Sequence, residues 1–101
     1  MPVRILTDVT AAVDASREAD LVAGFTVMAT EPLPDGLLRT ELLKGPDGRW
    51  RVQTLWRDRA ALDAMRARPE PPAAPTLFRS VGAEPALQVL EVQAALTAPS
   101  A

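Results

Sequence analysis

Between residues 37 and 57 the chain reads as two runs of alternating character joined by a turn. Leu37-Leu38-Arg39-Thr40-Glu41-Leu42-Leu43-Lys44 precedes Gly45-Pro46-Asp47-Gly48, and Arg49-Trp50-Arg51-Val52-Gln53-Thr54-Leu55-Trp56-Arg57 follows it. Pro46 presets φ for the first central turn position, Asp47 suits the second, and Gly48 can take φ > 0 as the bulge residue that closes a three-residue hairpin loop. That loop sets Gly45 against Arg49, and so Leu42 against Val52, Thr40 against Thr54 and Leu38 against Trp56. One face then carries Leu38, Thr40, Leu42, Trp50, Val52, Thr54 and Trp56. The other carries Arg39, Glu41, Leu43, Arg51, Gln53 and Leu55. A loop of different length would mix the two sets, so their separation supports the register and turns both tryptophans toward a core or pocket.

The same reading extends to both sides. Val3, Ile5, Thr7 and Val9 alternate with Arg4, Leu6 and Asp8, which predicts a first strand. Asp14 or Ser16 caps a helix to about Ala29, whose apolar stripe is Leu21, Val22, Phe25, Met28 and Ala29. Gly24 inside it costs helix stability and marks a place where a neighbour comes close. Two prolines and a glycine make residues 31–36 a loop. After the hairpin, Asp58 caps a helix from about Arg59 to Arg68 with Leu62 and Met65 inward, and residues 69–75 are a proline-rich link. Thr76 to Val81 reads as a short helix with Leu77, Phe78 and Val81 inward, stopped by Gly82. Leu87 to Ala95 is the last strand.

The predicted order is β-α-β-β-α-β with an extra short helix before the last strand. This is the ferredoxin-like form of an α+β fold, an antiparallel sheet with helices on one face. Residues 1–96 make one domain and residues 97–101 a loose tail. The face without helices carries Leu37, Leu43, Leu55, Arg39, Arg51, Glu41 and Gln53, too much apolar area to leave in water. Its arginines and glutamate can pair across a symmetric contact, so a sheet-to-sheet homodimer is expected.

Composition narrows the chemistry more than the fold. The 101 residues suffice for one modest core. The net charge of -2 and the scattered arginines argue against nucleic acid as a partner. There is no cysteine, histidine or tyrosine, so thiolate and imidazole chemistry is closed to the chain. A metal site would need carboxylates and carbonyls, and no spacing suggests one. No basic segment followed by an apolar run opens the sequence, and no apolar stretch approaches ~20 residues, so no secretion leader or membrane span is expected and the cytoplasm is the expected compartment.

The run Leu37–Lys44, followed by Val52-Gln53-Thr54-Leu55-Trp56-Arg57-Asp58-Arg59-Ala60-Ala61-Leu62-Asp63-Ala64-Met65, resembles the antibiotic biosynthesis monooxygenase (ABM) domain family. Its members commonly show a strand ending in Trp, then a capping Asp or Ser, then a helix opening with an Ala-Leu pair. Ile5-Leu6-Thr7-Asp8 is similar to the family's first strand, and the resemblance covers residues 3–95. It implies a dimeric α+β barrel in which two ferredoxin-like sheets face each other. It also implies an activity among cofactor-independent oxygenases of quinol or anthrone-like polyketides, haem-degrading enzymes, or proteins of other roles. In the oxygenases the pocket lies between sheet and helices, and a tryptophan of the kind at Trp56 is implicated. The chain departs from the family pattern. Met65 stands where a helix histidine is common, Asp8 where the haem branch has asparagine, and Thr40 where an aromatic is common. With no histidine to bind iron, the expectation is an oxygenase without haem, metal or other cofactor.

Candidate residues follow. Trp56 and Trp50 can stack on a planar aromatic molecule. Phe25, Met28, Met65 and Phe78 either complete an apolar pocket or fill a core. Thr40 and Thr54 can bond a ligand's hydroxyl or carbonyl, or each other. Asp8 is the candidate acid or base, although alternation points it away from Val3, Ile5, Thr7 and Val9, toward a dimer contact or solvent. The primary reading is a monooxygenase acting with dioxygen on a small phenol, quinol or anthrone, with Asp8 and Trp56 at the chemistry. The alternative is a non-catalytic dimeric module that binds a small apolar molecule or serves as an accessory. An open cavity beside Trp56 favours the enzyme, and a packed interior favours the module.

Overall fold

The computed structural model describes residues 2–99. Strand β1 (Ile5–Ala12) leads through a short 3-10 turn to helix α1 (Glu18–Ala29). Then come β2 (Leu37–Lys44), β3 (Arg49–Trp56), α2 (Arg59–Arg66), α3 (Ala73–Ser80) and β4 (Ala86–Glu91). The strands lie in the order β2-β3-β1-β4, each pair antiparallel. This is the ferredoxin-like α+β sheet expected from the element order, with α3 as the extra helix. Residues 97–99 of the expected tail are exposed and without regular structure; Ser100 and Ala101 lie outside the described residues.

The hairpin register is the one that the turn dictates. The Gly45 N–H donates to the Arg49 carbonyl at 2.6 Å, and Lys44 faces Trp50, Leu42 faces Val52 and Thr40 faces Thr54. Two details differ from expectation. Asp47 joins Gly48 in the left-handed region (φ 58° and 72°), a conformation that a short polar side chain tolerates. Further along, Arg39 pairs with Leu55 but Leu37 pairs with Trp56, so a bulge lies at Leu38. The bulge exchanges two side chains. Leu37 packs against the cluster of Ile5, Trp56, Ala61 and Leu62, while Leu38 is left 52% exposed. Leu37 therefore leaves the set assigned to the sheet-to-sheet contact, and Leu38 leaves the core. Alternation cannot reveal a bulge, because both neighbours are leucine.

Strand and helix limits also move for identifiable reasons. β1 begins at Ile5 and extends to Ala12 because β3 supplies partners from Trp56 to Arg49; Val3 is exposed. β4 stops at Glu91, short of Ala95, where its pairing with β1 ends at Ile5. On α1, Leu21 is fully buried and Phe25 and Met28 half-buried, but Val22 and Ala29 face out. A Cβ on Gly24 would lie 2.7 Å from Leu77 Cδ1, so the glycine lets α1 and α3 approach. α3 starts at Ala73, three residues before the expected Thr76. Pro75 is tolerated there because its missing N–H falls in the first turn, and the Thr76 hydroxyl donates to the Pro72 carbonyl at 2.8 Å. The helix ends as predicted at Gly82 (φ 76°), with the Ala83 N–H donating to the Phe78 carbonyl at 3.0 Å, a Schellman closure. The Asp58 carboxylate caps α2 by accepting from the Ala61 N–H at 2.9 Å, and that helix ends at Arg66.

Two apolar clusters fill the space between sheet and helices. The larger joins Val9, Val52 and Trp50 to Leu21, Leu77 and Phe78. The smaller joins Ile5 and Trp56 to Ala61 and Leu62 of α2.

Candidate functional site

Between the two clusters runs a row of hydroxyls. Thr40, Thr54 and Thr7 stand in register across β2, β3 and β1 on the helix-facing side, where β-branched residues suit the pleat. The Thr40 and Thr54 hydroxyls bond each other at 2.9 Å. The Trp56 indole N–H donates to the Thr7 hydroxyl at 3.1 Å, and that hydroxyl lies 3.5 Å from the Thr54 carbonyl. Thr7, Thr54 and Trp56 are buried, whereas Thr40 is half-buried and forms the open end of the row. A pair of hydroxyls sharing one bond spends one of its two protons. The Thr40–Thr54 pair thus keeps a donor for an incoming phenolate or carbonyl oxygen.

The half-buried Phe25 and Met65 pack against the larger and smaller cluster respectively, and Met28 is half-buried on α1; these three retain surface for a ligand. Phe78 does not, since it is wholly enclosed in the larger cluster. It is core, the second of the two readings that its sequence position allowed. Trp50 lies at the far end of the helix-facing side. Its N–H donates to Glu18 at 2.7 Å, and Lys44 reaches the same carboxylate at 3.3 Å while standing over the indole ring at 5.6 Å. The Trp50 N–H, and after it Lys44, hold the Glu18 carboxyl below the usual glutamate range, so this group is a fixed anion and a poor base.

Asp8 lies on the other side of the sheet. It shares a row with Glu41, Gln53 and Gln88, and Arg51 stands 3.7 Å from its Oδ2. The sheet separates it from Trp56, so the two residues expected at the chemistry do not share a site. A proton removed from a molecule held against Trp56 would have to go elsewhere.

Sequence reading overlooked Thr7 and Glu18. Thr7 sits at the right parity in β1, but only the strand order places it beside Thr54. Glu18 opens α1, where an acidic residue is ordinary, and no local signal connects it to Trp50. Two of the open depressions on the surface lie near candidate residues. One, of about 330 Å³, lies between residues 34–35 and α2, with Ala61 and Met65 in its wall and Arg57 and Arg68 at its rim. The other, of about 600 Å³, flanks Glu18 and the hairpin turn. Neither is lined by Trp56. Among the described residues no three acidic groups cluster as metal ligands, and no helix is long and apolar enough to cross a membrane.

No family model matches the chain, and no curated protein sequence matches it. Solved structures do. SnoaB, a cofactor-independent oxygenase from Streptomyces nogalater, aligns with 92% of this chain and 96% of its own at 18% identity, with a TM-score of 0.74. A candidate antibiotic biosynthesis monooxygenase from Deinococcus radiodurans aligns over 95% of this chain and 99% of its own at 15% identity, TM-score 0.73. A heme-degrading protein from Mycobacterium tuberculosis aligns over 97% of this chain and 100% of its own at 22% identity, TM-score 0.71. The chain is similar to all three in fold, along its whole domain. Its fold is the one of the ABM domain that residues 37–65 resemble.

Proposed function

We propose that this chain, which has the fold of a cofactor-independent oxygenase, is itself a monooxygenase that uses no metal or organic cofactor and acts on a small, electron-rich aromatic such as a quinol or anthrone. The observation that carries the reading is the hydroxyl row Thr40–Thr54–Thr7 ending on the Trp56 indole, with Met65 packed against the cluster that holds Trp56. A planar substrate would have to open a berth in this packing, since Trp56 is buried and lines neither depression; once seated it would meet apolar groups with a hydroxyl donor at one edge. The donor left over at Thr40–Thr54 would bond the substrate oxygen and favour its anion. Loss of a proton from an anthrone methylene, delivered to water at the half-buried Thr40 end, makes a carbanion. One electron then passes to dioxygen, the radical pair closes a carbon–oxygen bond, and the hydroperoxide loses water. The methylene becomes a carbonyl, one oxygen atom enters the product, the other leaves as water, and the substrate supplies all the electrons.

Oxygen uptake with a small panel of anthrones and quinols tests this. Uptake above the buffer rate that falls about tenfold or more in Thr54→Val and in Trp56→Phe supports the oxygenase. Thr54→Val removes the hydroxyl that meets Thr40, and Trp56→Phe leaves a void and an unpaired Thr7 hydroxyl, so thermal unfolding of both variants is measured alongside the uptake to separate lost chemistry from lost fold. A second reading, a ligand-binding or accessory module, is favoured by the burial of Trp56 at 3% exposure with its N–H already bonded. Quenching of tryptophan fluorescence by the same compounds without any uptake would decide for the module.

The proposal includes a second copy of the chain on the sheet face that carries no helices. Leu6, Leu55, Leu43 and Leu90 share that face with Arg39, Arg51, Glu41, Gln53 and Asp8, and Leu43 and Leu90 are 37% and 40% exposed. Leu55→Lys places a charge among these leucines and should convert a dimer to a monomer in sedimentation. A dimer that persists unchanged would place the contact elsewhere.

A further inference from the structure

The face proposed to meet a second copy is ordered in rows by the strand register. Arg39, Leu55, Leu6 and Leu90 form one row across the four strands, and Leu43, Arg51, Thr10 and Ala86 form another. Between them lie Glu41, Gln53, Asp8 and Gln88. Asp8 stands on the central strand β1, flanked on both sides by glutamine, and is only 7% exposed although no helix covers it. Its Oδ1 is buried with no hydrogen-bond partner, alone in this among the side-chain atoms of the described residues. Among the described residues the cation paired with it is Arg51, which meets Oδ2 at 3.7 Å, beyond hydrogen-bond range.

A buried carboxylate with an unfilled oxygen is costly to fold around. Arg51, the group best suited to fill it, has a side chain 48% exposed and five N–H donors in a planar fork. By contrast, Arg39 and Glu41 on the same face already pair at 3.1 Å. The face thus holds one satisfied pair and one unsatisfied pair, with Arg49 a further cation at the far end of β3, so it carries charges of both signs that can meet across a two-fold. Gln53, Gln88 and Arg51, which surround Asp8 in the register, are all long enough to turn aside.

Building on the second-copy reading above, we propose that Asp8 is the polar key of that contact, its carboxylate taking the guanidinium of Arg51 from the second copy. The two-fold then makes two such pairs, and each chain's site is incomplete without the other.

Exchange of charge between chains tests this. Asp8→Arg alone and Arg51→Asp alone each set like charges together, and each should weaken self-association at least about tenfold. Mixed one to one, the two variants should form a heterodimer near wild-type affinity. In that mixture every pair between chains is opposite in charge, while every pair within a chain is alike. Sedimentation of the mixture therefore separates a bond between copies from a bond inside one. Asp8→Asn and Arg51→Ala, which are gentle enough to fold, should weaken association in the same sense. A wild-type dimer whose Asp8→Asn and Arg51→Ala variants associate as tightly as it does would overturn the Asp8 proposal and leave the second-copy reading standing. Single variants that weaken while their mixture does not recover would overturn it too. A wild-type chain that is monomeric at high concentration would overturn both.

Discussion

Replacing Phe78 with alanine is expected to destabilise the domain by about 3–5 kcal/mol, the range for deleting a fully enclosed phenyl ring. The ring is 0% exposed and lies in a cluster drawn from four elements, with Val9 from β1, Val52 from β3, Leu21 from α1 and Leu77 from α3. Because these elements hold one another in place, the void left behind cannot collapse fully. Thermal unfolding should shift down by roughly 15–30 °C for a domain of this size. The same measurement decides between the two roles that the sequence allows this residue. A Phe78 lining a ligand cavity would border empty space on one side and lose fewer contacts on truncation, so its cost would fall clearly below that range.

Gly36→Ala is the second large effect, expected at about 2–5 kcal/mol. Gly36 lies at φ 84°, where a side chain costs about 1–2 kcal/mol. An added Cβ would also collide with the Cβ of Ala61 on α2. Both atoms are fixed to backbone, so neither can rotate away, and overpacking of this kind costs about 1–3 kcal/mol. The backbone is committed on both sides. The Arg57 N–H donates to the Gly36 carbonyl at 2.8 Å, and the Asp58 cap anchors Ala61. Ala61→Gly by itself should cost about 1 kcal/mol as a helix substitution. In combination with Gly36→Ala it removes the collision, so the double variant should be more stable than the sum of the singles requires. Urea unfolding of the four proteins measures the coupling, and strict additivity would show that the loop moves aside instead. Gly36 directly follows Pro34 and Asp35, which line the 330 Å³ depression against α2.

The candidate site was legible in pieces. Thr40 opposite Thr54 followed from the turn, because a three-residue loop fixes every later pair until something interrupts it. Trp56 as the last inward residue followed from alternation, and Asp58 as a cap from its place before Ala60-Ala61-Leu62. Thr7 was not legible as their neighbour, since β1 could have lain anywhere in the sheet. Asp8 shows the limit most clearly. Parity placed it correctly on the face away from Thr7 and Val9, but its burial arises from Gln53 on one side and Gln88 on the other, which are 45 and 80 residues distant in sequence.

By itself, then, the sequence determined what depends on residues a few positions apart. These are the hairpin turn and its register from Arg39 to Lys44, the cap at Asp58, the stop at Gly82 and the order of elements. Its composition, without histidine, cysteine or tyrosine, also determined which chemistry is closed to the chain. The tertiary structure alone decided the bulge at Leu38, the enclosure of Phe78, the bond from Trp56 to Thr7, the hold of Trp50 and Lys44 on Glu18, and the unfilled oxygen of Asp8. Each of these depends on which distant segment lies alongside. Local dihedral preferences choose a turn or a cap, but burial and hydrogen-bond satisfaction are properties of neighbours, and strand order is what supplies the neighbours.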